Sequence, residues 1–257
     1  METPHRTTFD NQFIELESVD STNNYAMALV HEGLATDGMV CLAHHQTAGK
    51  GQRDRIWESE AGKNLMMSLI SQPAPLTVSS QFIFSASVAL GILDKLREHV
   101  PGNWRIKWPN DIYWNDRKAA GILIESVLKG QNWLFAVIGV GLNLNQESFS
   151  ETIHNAISLH QVTGVNYETV PFARELVAKI QIRIGQARTD AGKILQEFNT
   201  YLYKKDEIIT LKKGNELFVT LLKGVDARGH LLTEAGSFSA GEIQWVINPG
   251  NLPVATG

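Results

Sequence analysis

The chain has 257 residues, 43% hydrophobic and 19% charged, which excludes general disorder and leaves enough apolar material for a sizeable core. Its 23 Lys and Arg against 27 Asp and Glu give a net charge of −4, without the bulk basic signal of a DNA-coating protein. A single cysteine, Cys41, excludes an internal disulfide. The polar N-terminal stretch and the lack of an apolar run of ~18–20 residues predict a soluble, cytoplasmic chain without signal peptide or membrane span.

In chain order, Asp20, Ser21, Thr22 and Asn23 are preferred helix caps and open a predicted helix. Residues 38–42 and 64–70 are short apolar runs that read as buried strands. Residues 81–100 carry Phe82, Ala86, Ala89, Leu90, Leu93 and Leu96 at three- and four-residue steps, one helical stripe. Two further strands are expected over 122–127 and 133–140. A helix is expected to begin at Pro171, with Phe172, Leu176, Val177, Ile180 and Ile184 inward, and another over 192–202. After Lys204 the pattern changes to short segments (207–211, 217–222, 230–233, 243–246) punctuated by glycines, which suggests a small β-barrel or sandwich. The expected division is therefore 1–203 and 204–257.

Five stretches could carry chemistry. Gln46–Trp57 (QTAGKGQRDRIW) places Lys50, Arg53 and Arg55 among glycines and beside an indole, suited to phosphate and a stacked base, or else to a solvated surface loop. Lys107–Asp111 (KWPND) presents Asn110 and Asp111 on a proline-constrained turn; taken alone it reads first as a plain β-turn, and Asp111 there suits Mg²⁺ or a ribose hydroxyl. Lys118–Glu125 (KAAGILIE) sets a lone lysine before a strand, as a pocket group or an edge gatekeeper. In Ile138–Asn145 (IGVGLNLN), period two puts Gly139, Gly141, Asn143 and Asn145 on one face, leaving room for a flat ligand; a β-bulge with an asparagine turn is the alternative. The Asp20–Asn23 cap is also suited to an anion or a ureido group.

Taken in order, D-S-T-N, Q-x-A-G-x-G-x-R-x-R-x-W, K-W-P-N-D, K-x-x-G-I-L-x-E and G-x-G-x-N-x-N resemble the biotin protein ligases, the biotin–[acetyl-CoA-carboxylase] ligases. The match runs over about residues 12–145, and Asn155–Leu159 (NAISL) is similar to a further family segment. The resemblance implies an α/β (α+β) fold, a mixed-sheet catalytic domain of the biotin/lipoate ligase type with a small C-terminal SH3-like β-barrel. It implies that biotin and ATP give biotinyl-5′-AMP and pyrophosphate, and that biotin then passes to a lysine of a biotin carboxyl carrier domain. By matching positions, Ser21, Thr22, Gln46, Gly49, Lys50, Gly121 and Gly139 would bind biotin. Arg53, Arg55, Trp57, Asn110, Asp111, Lys118 and Asn143 would serve ATP, with Trp57 against adenine. Lys118, Arg53 and Arg55 would be catalytic, and Asp111 would hold Mg²⁺.

The glycine loop departs from the family's usual G-R-G-R-R-G-R: Lys50 and Gln52 replace arginines and Asp54 replaces a glycine. These changes bear on loop closure and on retention of the adenylate. Competing functions are a lipoate–protein ligase and a non-catalytic biotin-binding module. A DNA-binding repressor is disfavoured, since the stretch before Asp20 is too short for a three-helix reader. A homodimer is compatible with the resemblance.

Overall fold

The computed structural model describes residues 6–10, 12–53, 55–150, 153 and 155–247. The chain runs β1 (Arg6–Asp10), β2 (Phe13–Val19), α1 (Thr22–His31), β3 (Val40–Gln46), β4 (Leu65–Ser71) and α2 (Gln81–His99). It continues through β5 (Trp104–Lys107), β6 (Asp111–Trp114), β7 (Arg117–Lys129), β8 (Asn132–Leu142), α3 (Leu159–Thr163), α4 (Thr169–Thr189) and α5 (Ala191–Thr200). The last strands are β9 (Ile208–Lys213), β10 (Glu216–Val225), β11 (Leu231–Thr233), β12 (Gly236–Phe238) and β13 (Gln244–Val246).

Eight strands form one mixed sheet in the order β1-β2-β3-β4-β8-β7-β6-β5; β2 and β3 are parallel and the other pairs antiparallel. The two faces of β4 are both buried, as its unbroken apolar composition requires. One face packs on α2 and α4, where Leu42, Leu69, Leu90, Leu93, Ile138 and Ile180 share a core. Gly91 lets these helices approach closely: a Cβ there would lie 2.7 Å from the Ile180 Cα. The opposite face is covered in part by α1, over Ile14, Leu16, Cys41, Ala43, Ile70 and Val137. Beyond the N-terminus of α1 that face borders a cavity, the candidate site.

The remaining five strands form an antiparallel sheet ordered β12-β11-β10-β9-β13, consistent with an SH3-like unit. Among the described residues its end strands, β12 and β13, are not paired with each other.

All the predicted strands and helices are present, with shifted ends. The strand expected over 38–42 begins at Val40 and runs on to Gln46, because parallel pairing with β2 carries it (Ser18↔His45, Val19↔Gln46). Lys118 lies within β7, not ahead of it. Pro171 sits in the first turn of a helix that begins two residues earlier. The KWPND turn is as expected, but it joins two strands, β5 and β6, whose short mixed sequences carry no clear alternation. Asn143 and Asn145 do not continue the face of Gly139 and Gly141, because β8 ends at Leu142.

Candidate functional site

Three cavities meet at Lys118 and Trp57. The first lies where the N-terminus of α1 faces β8. Ser21 is the N-cap residue, and Ser21, Thr22 and Asn23 are all buried. The Thr22 backbone N–H and hydroxyl donate to Gln46 Oε1 at 2.7 and 3.1 Å. Ser68 Oγ lies within hydrogen-bond distance of Thr22 Oγ1 (2.8 Å) and Asn23 Oδ1 (2.6 Å), and Asn23 Nδ2 donates to Glu125 at 2.7 Å. This polar network lies under an exposed rim, where Lys50 Nζ stands 4.0 Å from Glu125.

Register explains the floor of this cavity. Gly121 on β7 pairs with Gly141 on β8, and Gly139 pairs with Ser68 on β4. The flat group over Gly121 and Gly141 is the Trp57 indole: a Cβ on Gly141 would lie 2.5 Å from Trp57 Cε2, and one on Gly121 3.2 Å from Cζ3. Asn23 covers Gly139 in the same way. The cavity left is only about 60 Å³, well under the roughly 300–1,000 Å³ usual for small-molecule sites. The Trp57 Nε1–H is buried without a hydrogen-bond partner. Gly49 is not on the cavity wall. It accepts from the Trp57 N–H at 2.9 Å, and a Cβ there would lie 2.6 Å from the Trp57 carbonyl oxygen, so this glycine fixes the base of the loop.

The second cavity, about 350 Å³, is basic and lies between the loop and the C-terminal sheet. Arg53, held at φ 56°, and Arg55 are exposed at its mouth. Asp111, at the start of β6, receives the Lys118 ammonium at 2.7 Å. Lys107 Nζ lies 5.6 and 5.5 Å from the ring centroids of Tyr113 and Trp245. Burial holds Lys107 below the usual lysine range, opposed by Asp111 and aided by Lys118 and Arg55. Burial likewise raises the Tyr113 hydroxyl, so it stays protonated. Asn110 is partly committed to structure: its Nδ2 donates to the Ile122 carbonyl at 2.7 Å, and its own carbonyl accepts from the Ile122 N–H.

The third cavity opens on the other side of Trp57, toward Asn143, Phe149, Ile153 and Ala156. The backbone of Lys118 donates to Asn155 and accepts from Ile157 at 2.9 Å, which ties the NAISL segment to β7. Asn143 is buried, its amide donating to the carbonyls of Lys118 and Ile157 at 3.3 and 3.2 Å. Asn145 pairs both ways with the Tyr167 backbone at 2.8 Å. Its role is a staple.

Thus Ser21, Thr22, Gln46, Lys50, Gly121, Gly139, Trp57, Asn110 and Lys118 share the first cavity, while Arg53, Arg55 and Asp111 line the second and Asn143 the third. Asp54 lies outside the described residues. Asn23, Ser68, Glu125 and Lys107 were not singled out by sequence reasoning. Asn23, Glu125 and Lys107 stand inside motifs already quoted, whereas Ser68 carries no local signal. Among the described residues no group of three or more His, Cys, Asp and Glu converges.

The family described as the Biotin/lipoate A/B protein ligase family matches residues 15–143. The bifunctional ligase/repressor BirA of Escherichia coli K12 is 30% identical over 227 residues, covering 85% of this chain and 68% of that protein. The biotin–[acetyl-CoA-carboxylase] ligase of Mycobacterium tuberculosis is 27% identical over 231 residues, 87% and 85% of the two chains. Among solved structures, a biotin protein ligase from Aquifex aeolicus in complex with biotin and ATP superposes with a TM-score of 0.77 at 24% identity, covering 91% of this chain and 98% of that one; this likeness establishes the fold.

Proposed function

The chain belongs to the Biotin/lipoate A/B protein ligase family, and we propose that it is a biotin protein ligase that makes biotinyl-5′-AMP from biotin and ATP and passes biotin to a lysine of a carboxyl carrier domain. The observation that carries this reading is the junction at Lys118. One ammonium group borders a narrow polar cavity, a basic cavity and a third cavity beside an indole. Those are the three parts of a biotin–ATP pair: a ureido bicycle, a polyphosphate and a base.

The chemistry follows from charge. A biotin carboxylate oxygen attacks the α-phosphorus, and the bond from that phosphorus to the bridging oxygen breaks, so the electron pair leaves with pyrophosphate. Two anions must approach, and Lys118 stands where it can offset their repulsion and the charge that grows in the transition state. Asp111 aims its ammonium through the 2.7 Å contact. The buried Thr22–Gln46–Ser68–Asn23 network offers donors and acceptors to the ureido ring. Arg53 and Arg55 serve the phosphates. In the transfer step the carrier lysine attacks the acyl carbon, AMP leaves, and the amine gives up a proton.

Mg²⁺ fits this site as a nucleotide-borne ion. Asp111 is the carboxylate on the wall of the basic cavity among the described residues, and Mg²⁺ is commonly held by one or two carboxylates plus substrate phosphates. It would neutralise phosphate charge there.

The test combines purified protein, ATP, Mg²⁺ and a carrier domain with either biotin or lipoate. Biotin-dependent ATP–pyrophosphate exchange and carrier labelling are expected, and Lys118→Ala should lower both roughly 10²–10³-fold. Wild-type rates in Lys118→Ala, or exchange supported by lipoate and not biotin, would reject the assignment.

A further inference from the structure

Glu125 ends the KAAGILIE motif, and the proposed reaction gives it no task. It shares a face of β7 with Gly121 and Leu123, because residues two apart in a strand point the same way. Its Oε2 accepts from Asn23 Nδ2 at 2.7 Å, and its Oε1 stands 4.0 Å from Lys50 Nζ. Asn23 is buried in the first turn of α1, over Gly139. The two ends of an asparagine amide are nearly equal in size, so hydrogen-bond partners decide which way it turns. A carboxylate only accepts. Glu125 therefore takes the nitrogen end, with the Leu123 carbonyl as a longer second acceptor at 3.4 Å. Asn23 Oδ1 is left to Ser68 and can only accept, so the single Ser68 proton goes to it at 2.6 Å. Ser68 then has no proton for Thr22, 2.8 Å away. The Thr22 hydroxyl proton is drawn into the same network, to Gln46 Oε1 at 3.1 Å or to Ser68 Oγ. No hydroxyl proton of this chain is left for a ligand, and Thr22 Oγ1 keeps acceptor capacity on the wall of the first cavity. All three side chains are buried, so reversing the order would strand an unsatisfied group.

We propose that Glu125 sets the hydrogen-bond polarity of the first cavity: it orients Asn23 and, through Ser68, keeps Thr22 an acceptor, so that the cavity selects a ring that donates an N–H. This rests on the ligase reading and deepens it. A ureido ring carries such donors and a dithiolane ring carries none, so the polarity favours biotin over lipoate. A buried acceptor left unpaired costs free energy, which is how a site rejects an analogue that lacks the donor. Glu125 is a positioning residue, acting through Asn23 and Ser68.

The experiment exchanges the carboxylate and the amide. Biotin affinity is measured by calorimetry for wild type, Asn23→Asp, Glu125→Gln, Glu125→Leu and the double variant Asn23→Asp/Glu125→Gln. Asn23→Asp sets two carboxylates against each other and should weaken biotin binding about tenfold or more. Glu125→Leu, which offers Asn23 no acceptor, should do the same. Glu125→Gln keeps an acceptor and should cost no more than about threefold. In the double variant the new amide donates to the new carboxylate and Ser68 still donates to position 23, so affinity should return to within about threefold of wild type. In ATP–pyrophosphate exchange these changes should appear in KM for biotin and not in KM for ATP. A double variant as weak as Asn23→Asp, or Glu125→Gln as damaging as Glu125→Leu, would overturn the proposal. These two comparisons decide it even if Asn23→Asp alone does not fold, with a tenfold loss in the double variant then counting against it. A wild type that binds lipoate and not biotin would instead overturn the ligase reading and this inference together.

Discussion

Gly141 has no side chain because an indole occupies that space. The Trp57 ring rests on Gly141 and Gly121, and the two glycines are register partners on adjacent strands. A methyl group at position 141 would displace the ring from one side of all three cavities. Overpacking of this kind costs about 1–3 kcal/mol when it is absorbed locally. Gly141→Ala should therefore lower biotin-dependent exchange about tenfold or more, whereas Gly185→Ala, with open space around its Cβ in α4, should leave activity intact. Equal effects in the two variants would show that the Trp57 seat is irrelevant. Much of this site was legible as a set of short motifs, since loops that bind charged ligands concentrate Gly, Lys and Arg locally. The seat itself was not: that glycines 121 and 141 carry Trp57 depends on pairing across β7 and β8 and on the return of a loop 64 residues away from Gly121. Period two also misled at Asn143 and Asn145. Main-chain partners on Lys118, Ile157 and Tyr167 take up their amides, and those partners are remote in sequence.

At the scale of elements, α2 and α4 show how a helical stripe becomes a packing surface. Residues Phe172, Leu176, Val177, Ile180 and Ile184 are all buried, as the spacing predicts, and Gly91 admits the close crossing. The end of α2 places His99 against the first turn of α4. Its ring stacks on Phe172 at 5.4 Å and meets Tyr167 edge-on at 4.9 Å, while Nε2 is buried without a partner. Burial pushes His99 below the usual imidazole range; Lys95 adds to this, and Glu175 and Glu98 oppose it. The fold therefore favours the neutral ring. In the unfolded chain the imidazole takes a proton near pH 6.5, so stability is complete above about that pH and declines as pH falls through the lower folded value. The Tm of the wild type should fall more steeply between about pH 7.5 and pH 5 than that of His99→Phe, which keeps the ring contacts and removes the titration. Parallel Tm–pH slopes would sink this account.

At the scale of the whole molecule, the larger of the two apolar clusters spans both sheets. Leu42 and Ile138 of the eight-stranded sheet belong to the same buried cluster as Leu211, Leu222 and Leu231 of the C-terminal sheet. Polar ties cross the same junction: Trp108 Nε1 donates to the Gly229 carbonyl at 2.9 Å, and Asn199 pairs both ways with Val225 at 2.7 and 2.9 Å. Calorimetry should accordingly show a single cooperative unfolding transition; two separable transitions would show that the sheets are independent. The sequence by itself determined the helices and strands with clear periodicity and the ordered motifs, because periodicity and ligand-facing loops are local properties of the chain. The family resemblance those motifs carry implied the fold class, whereas β1, β2, β5, β6, α3 and β12 were not foreseen. Only the tertiary structure decided that Lys118 joins three cavities, that Trp57 lies on two paired glycines, and that Trp245 reaches Lys107. Those relations depend on strand register and on the docking of one sheet against another, and both are set by contacts between residues far apart in the chain.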